Sequence, residues 1–426
     1  MTVPGDLVAA VGGTRQVPAP DPIAEDYLLL GLRLGQRIPG LVDGYFGPAA
    51  IKARVDTEQF PAAARLREDA AALTARIGMV AEPERRDWLI AQVRALAAHA
   101  RALDGEPLPY TDHVALCLGF EPPRHDDDRF RGALAAVDAL LPGAGPLHER
   151  LAAWDRRLEI PLDRLPDVMD WLVARFRERA HRDFGLPEGE DLRVSLVTGQ
   201  PWSGYNWYDG GRRSRVDVNT DLPVRAPDFI TMIGHETYPG HHLEHAWKEA
   251  DLVDRQGRLE SSLLLINTPE CPISEGLADL GPSFVAPLDE RAELLFELFE
   301  RAGLAGLADP ADARETAERA VALEGPRHRL AASRGNAALM RHADGASHDE
   351  VLAYLQDTGG YAPKVAAKLL EFIEHPLWRT YVFVYNEGEA LVRRWVEAAP
   401  APERVARFGR LLHEQITPGR LLAELG

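Results

Sequence analysis

Residues 228–249 of this 426-residue chain, DFITMIGHETYPGHHLEHAWKE, gather side chains that could bind a metal and activate water. Four of the fourteen histidines, His235, His241, His242 and His245, fall within eleven positions. Phe229, Met232 and Ile233 before them, and Leu243 and Trp247 after, keep a helical spacing, so the histidines ride on a buried or half-buried helix. A His-Glu pair on a helix with a second His further along suits zinc hydrolysis. Two neutral imidazoles bind Zn2+, and the Glu takes a proton from the attacking water. In that scheme His235 and a later histidine are ligands, and Glu236 is the general base.

The spacing needs an irregular backbone. Zinc helices usually set their histidines four apart, on one face. His235 and His241 are six apart, about 240° around a regular helix; His242, seven apart, returns to the face but stands roughly 10 Å further along the axis. Pro239 cannot donate a backbone bond to the His235 carbonyl, and Gly240 tolerates an irregular turn. A two-residue bulge there would bring His241 to the place of the second ligand, with His242 its competitor.

A second segment, Cys271–Gly281 (CPISEGLADLG), reads as a helix starting after Pro272 with Ser274 as its N-cap. Glu275 and Asp279 are four apart and share a face. Ile273, Leu277, Ala278 and Leu280 surround them, which argues against a solvent-facing acidic helix. Glu275 then supplies the third zinc ligand. Asp279 holds the outer N–H of the first histidine, fixing its tautomer and raising its basicity. His242 and His245 read as supporting or substrate-facing groups.

The elements that position these residues are mainly α-helical. Tyr27, Leu30, Leu34 and Ile38 recur at helical spacing until Pro39-Gly40; Glu82–Leu103, Phe130–Leu141, Leu165–Phe184, Glu290–Ala302, Ala311–Leu323, His348–Gln356, Pro363–Ile373 and Leu377–Val396 read likewise. Ser347 with Glu350 forms a capping-box pattern. One region differs: Leu192–Thr198 and Gly204–Thr220 alternate about Asp209-Gly210-Gly211, which predicts a small sheet with a β-hairpin just before the histidine helix. Its strand edge could pair with an extended peptide, and Trp202, Tyr205 and Trp207 could line a pocket.

Composition excludes several partners. Lys and Arg total 48 against 66 Asp and Glu, a formal charge of −18, so nucleic acid and anionic membrane surfaces are poor partners. No run approaches the roughly 20 apolar residues of a membrane span, and Met1–Pro22 lacks the hydrophobic block of a secretory signal. Cys117 and Cys271 read as buried and reduced. A cytoplasmic protein is expected. Three parts are expected along the chain: a loosely packed segment 1–24, a helical half 25–200, and a half 201–426 that carries the chemistry, with one continuous domain for the two halves as the alternative.

HETYPGHH followed by SEGLAD resembles the HExxPGHH and EGxA signatures of the bacterial domain-of-unknown-function 885 family. WSGYNWYDGG…VNTDLP before the motif and YVFVYNEG near the C-terminus are similar to that family as well. The likeness spans most of residues 25–426, but only 200–281 is specific. Leu277 and Asp279 depart from the usual EGWALY, so the resemblance does not vouch for Asp279. It implies a helical zincin-like metallopeptidase with a deep cleft, His235, His241 and Glu275 holding one Zn2+, and Glu236 as base. It also draws attention to Tyr385 of YNEG as the donor to the tetrahedral intermediate, ahead of Tyr381, His375 and Arg379. The expected activity is hydrolysis of short peptides, of exopeptidase or dipeptidase type. Two alternatives stay open: a metal-dependent amidase for a small amide, and a non-catalytic helical binding protein with a vestigial metal site.

Overall fold

Helices Pro22–Arg37, Pro83–Leu103, Asp127–Leu140, Leu165–Phe184, Leu288–Ala302, Pro310–Ala331, His348–Asp357 and Pro363–Glu374 form where apolar side chains recur at helical spacing. The computed structural model describes residues 21–304, 307 and 309–426, so most of the segment 1–24 lies outside the described residues. Local chemistry sets several helix starts. The Asp21 carboxylate accepts from the Ile23 and Ala24 N–H groups at 2.9 and 2.8 Å, with Pro22 at the first helical position. Ser347 and Glu350 make the reciprocal capping box. Leu377–Val396 is two helices, Trp378–Tyr381 and Val384–Glu397, separated by a turn at Val382-Phe383 whose side chains are both buried.

The expected sheet is present. Strands β2 (Asp191–Val197), β3 (Gly204–Tyr208) and β4 (Arg213–Asn219) lie in the order β2-β4-β3, with β3 and β4 an antiparallel hairpin and β2 parallel to β4. Val216 and Val218 of β4 are fully buried, while β3 keeps an open edge. A second, two-stranded antiparallel sheet joins β1 (Val42–Tyr45) to β5 (Leu263–Leu265). Neither strand is long enough to show a period.

Three apolar clusters hold the chain together. The largest joins Phe130 and Phe176 to Phe229, Ile233, Leu277, Trp395 and Phe408, so helices from before and after residue 200 share one core. A second packs Tyr27, Leu30 and Trp88 on Leu263, and a third gathers Cys117, Cys271 and Phe383. Both cysteines are buried and free. Among the described residues no helix is long and apolar enough to cross a membrane.

Helices Cys271–Leu280 and Val384–Glu397 touch backbone to backbone. A Cβ on Gly276 would stand 2.4 Å from the Gly388 carbonyl oxygen, and one on Gly388 would stand 2.3 Å from that of Pro272. Gly276→Ala therefore separates these predictions cleanly. Helix propensity alone would stabilise the variant by about 1 kcal/mol, whereas overpacking costs about 1–3 kcal/mol. Chemical denaturation should show a lower midpoint; a higher one would contradict the contact.

Candidate metal centre

The first motif helix, Ala226–Glu236, starts with Pro227 near its N-terminus and buries Phe229, Ile230 and Ile233 in the main core. It stops directly after His235-Glu236. A second helix begins at His241 and runs to Lys248. The interruption is larger than a two-residue bulge: residues 237–240 leave the helix altogether, around a cis Tyr238–Pro239 bond. Gly240 passes so close that a Cβ there would lie 1.8 Å from the His235 carbonyl oxygen, so only glycine fits. This break swings His241 back. Its ring centre lies 4.7 Å from that of His235, with the two planes nearly perpendicular.

Helix Cys271–Leu280 brings Glu275 between them. His235 Nε2 is 3.4 Å and His241 Nε2 3.7 Å from Glu275 Oε2. These three residues can offer ligand atoms that all lie within 4.8 Å of one another. A tetrahedral zinc with bonds of about 2.0–2.2 Å sets its donors roughly 3.3–3.6 Å apart, so the two distances to Glu275 fit with little movement. Glu275 Oε2 is buried and has no hydrogen-bond partner, while Oε1 accepts from the Tyr381 hydroxyl at 2.6 Å. A buried carboxylate oxygen left unmatched between two imidazole nitrogens is the arrangement a cation would complete.

Each histidine is held from behind. His235 Nδ1 donates to Asp279 Oδ1 at 2.8 Å, which leaves Nε2 facing inward. His241 Nδ1 lies 3.3 Å from Ser274 Oγ, whose hydroxyl donates to Glu244 Oε2 at 2.6 Å. Glu244 in turn accepts from Lys248, which also reaches Glu270. Ser274 is thus inside its helix, which starts at Cys271, and not the N-cap expected.

The electrostatics follow from this crowding. Burial would depress the imidazoles, but Asp279 holds His235 well above its usual range, and Glu244 with Glu275 pushes His241 up to about 10. Burial would raise Glu275, yet the two histidines hold it well below the carboxylate range. Glu236 differs: burial raises it more than the histidines lower it. Its carboxylate makes no hydrogen bond or ion pair among the described residues, and the residue is half-buried.

The other expected residues sit as follows. His242 is fully buried, with Nδ1 against Ser214 and Nε2 3.0 Å from Glu190, so neither nitrogen points toward Glu275. His245 stacks on His241, and burial pushes it down to about 3. The Tyr385 ring stands edge-on to Tyr381 at 5.6 Å, its hydroxyl without a hydrogen bond among the described residues. Burial, reinforced by Glu275, Asp279 and Glu236, keeps that phenol protonated far above its usual range. Arg379 turns to His113 instead, and His375 accepts from the Leu377 N–H. Over the site lies β3: a Cβ on Gly204 would be 3.4 Å from Glu236 Cγ, and Asn206 donates to the Glu236 carbonyl at 2.8 Å. Trp202, Tyr205 and Trp207 form a ladder of rings 5.6 and 4.5 Å apart.

Glu244, Lys248 and Asp43 were not singled out from the sequence. Glu244 carried a usable signal, three residues after His241 on the same helical face. Two further groups have metal-ligand chemistry. In one, His99 is bonded to the Asn267 carbonyl beside Cys117; in the other, Glu244 is already matched by Lys248 and Ser274. The first holds no carboxylate, though its His113 Nε2 is buried without a partner, and the second leaves no carboxylate oxygen orphaned.

No family model matches the chain, and no curated protein does. Among solved structures it is similar to a candidate lipoprotein from Colwellia psychrerythraea (14% identity, TM-score 0.47, 84% of this chain and 65% of that one). It is also similar to a candidate lipoprotein of unknown function from Shewanella oneidensis (12%, 0.48, 94% and 82%). A third is an M32 carboxypeptidase from Deinococcus radiodurans R1 (14%, 0.41, 94% and 93%). This chain spans less than two thirds of the Colwellia protein. The functional reading rests on the site itself.

Proposed function

We propose that the protein is a zinc-dependent peptidase of the helical zincin-like type, hydrolysing short peptides. The observation that carries the reading is the buried, unpartnered Glu275 Oε2 facing two imidazole Nε2 atoms, with the unpaired Glu236 directly after His235. His235, His241 and Glu275 would hold the metal; Asp279 and the Ser274–Glu244 pair would orient the two rings. Bound there, zinc would polarise the scissile carbonyl and acidify water. Glu236 accepts the proton of the attacking water, and its raised affinity for that proton suits it to pass it to the leaving amine. Tyr385, protonated and free to donate, stabilises the developing oxyanion. The open edge of β3 gives an extended substrate a backbone partner beside Glu236.

A broad library of short peptides, digested with zinc-loaded protein, tests this. Cleavage that chelator removes and zinc restores is expected. Intact peptides despite bound zinc would leave the amidase or the binding-only reading in its place.

A further inference from the structure

Asp43 belongs to no part of the scheme above, yet it stands at the same site. In the β1–β5 pair, Val42 faces Leu265 and Gly44 faces Leu264, so Asp43 is the extra residue of a β-bulge. A bulge of this kind re-aims one side chain out of the ladder. The Asp43 carboxylate accepts a hydrogen bond from the hydroxyl of Tyr205, the second residue of edge strand β3. Tyr205 follows Gly204, where a Cβ would lie 3.4 Å from Glu236 Cγ, so this hydrogen bond ties Asp43 to the stretch of β3 that lies over the site. Asp43 is exposed, so its carboxylate is open to a ligand and is not part of the core.

Two features point to what it meets. Asp43 has no Lys or Arg partner among the described residues, although Arg side chains pair with acids throughout the molecule. The site also gathers four carboxylates, Asp43, Glu236, Glu275 and Asp279, and a divalent ion offsets two of those charges. A ligand bringing one positive group would offset one of the two charges that remain. In a peptide whose first carbonyl is the one attacked, the α-nitrogen is two bonds from the carbonyl carbon, and it is an ammonium only when the amino terminus is free.

Resting on the peptidase reading above, we propose that Asp43 binds the amino-terminal ammonium of the substrate, so that the site takes peptides with a free amino terminus and releases their first residue. Tyr205 is a positioning residue: its hydroxyl donates to one carboxylate oxygen and leaves the other turned to the substrate. An acylated amino terminus brings neutral bulk to this place and leaves the Asp43 carboxylate without a cation, a mismatch that sites built for a charged group reject.

Calorimetric titration of zinc-loaded full-length protein carrying Glu236→Gln tests this without turnover. Trialanine amide is expected to bind about 100-fold more tightly than its N-acetyl form. Adding Asp43→Asn should bring the free peptide down to the acetylated one, with zinc content unchanged. Equal binding of the two peptides to the protein that retains Asp43 overturns the proposal and leaves the peptidase reading standing; this comparison needs no folded Asp43 variant. Failure of both peptides to bind overturns the two together.

Discussion

Glu236→Gln should lower kcat/KM for a peptide substrate by about 10²–10⁴-fold while zinc remains bound at the wild-type level. The carboxylate has no hydrogen bond or ion pair among the described residues, so its replacement by an amide of the same shape breaks no structural contact. What it removes is the proton acceptor. Burial raises its proton affinity, which suits a group that must take a proton and return it within one turnover. The measurement is a steady-state assay beside a metal determination on the same sample. Unchanged kcat/KM would remove Glu236 from the mechanism.

Glu275→Ala should abolish stoichiometric zinc binding. The loss should exceed the roughly 10–100-fold reduction that follows removal of an outer hydrogen bond to a ligand. The substitution takes away the one carboxylate oxygen among the described residues that faces both Nε2 atoms, at 3.4 and 3.7 Å, and leaves the Tyr381 hydroxyl without its acceptor. Titration with zinc against a competing chelator reads the affinity, and the unfolding midpoint of the metal-free protein separates ligand loss from collapse. Retained tight binding would mean that the ion is held elsewhere.

Much of this arrangement was legible from local pattern. Periodicity located the long helices, Ser347 and Glu350 marked one start, and Asp209-Gly210-Gly211 marked the hairpin. Pro239-Gly240 signalled that His235 and His241 need not follow regular helical geometry. The size of the break was not legible, because a proline says where a helix fails and not how far the chain departs before it resumes. Ser274 read as a cap from its residue type; the helix instead opens at Cys271, and the hydroxyl is turned to His241 and Glu244. The pairing of β1 with β5 had no sequence signal. Its strands are four and three residues long, and distant segments contribute them. Asp43 was invisible for the same reason, since only that pairing carries it to the site. The Gly276–Gly388 approach likewise depends on two helices meeting, which neither sequence pattern announces.

The central claim is that His235, His241 and Glu275 close on one ion. Plasma mass spectrometry of protein purified without chelator, then dialysed against trace zinc, measures this directly. The account predicts about one zinc per chain in the wild type and none in Glu275→Ala. Absence of zinc from the wild type after that incubation would contradict it.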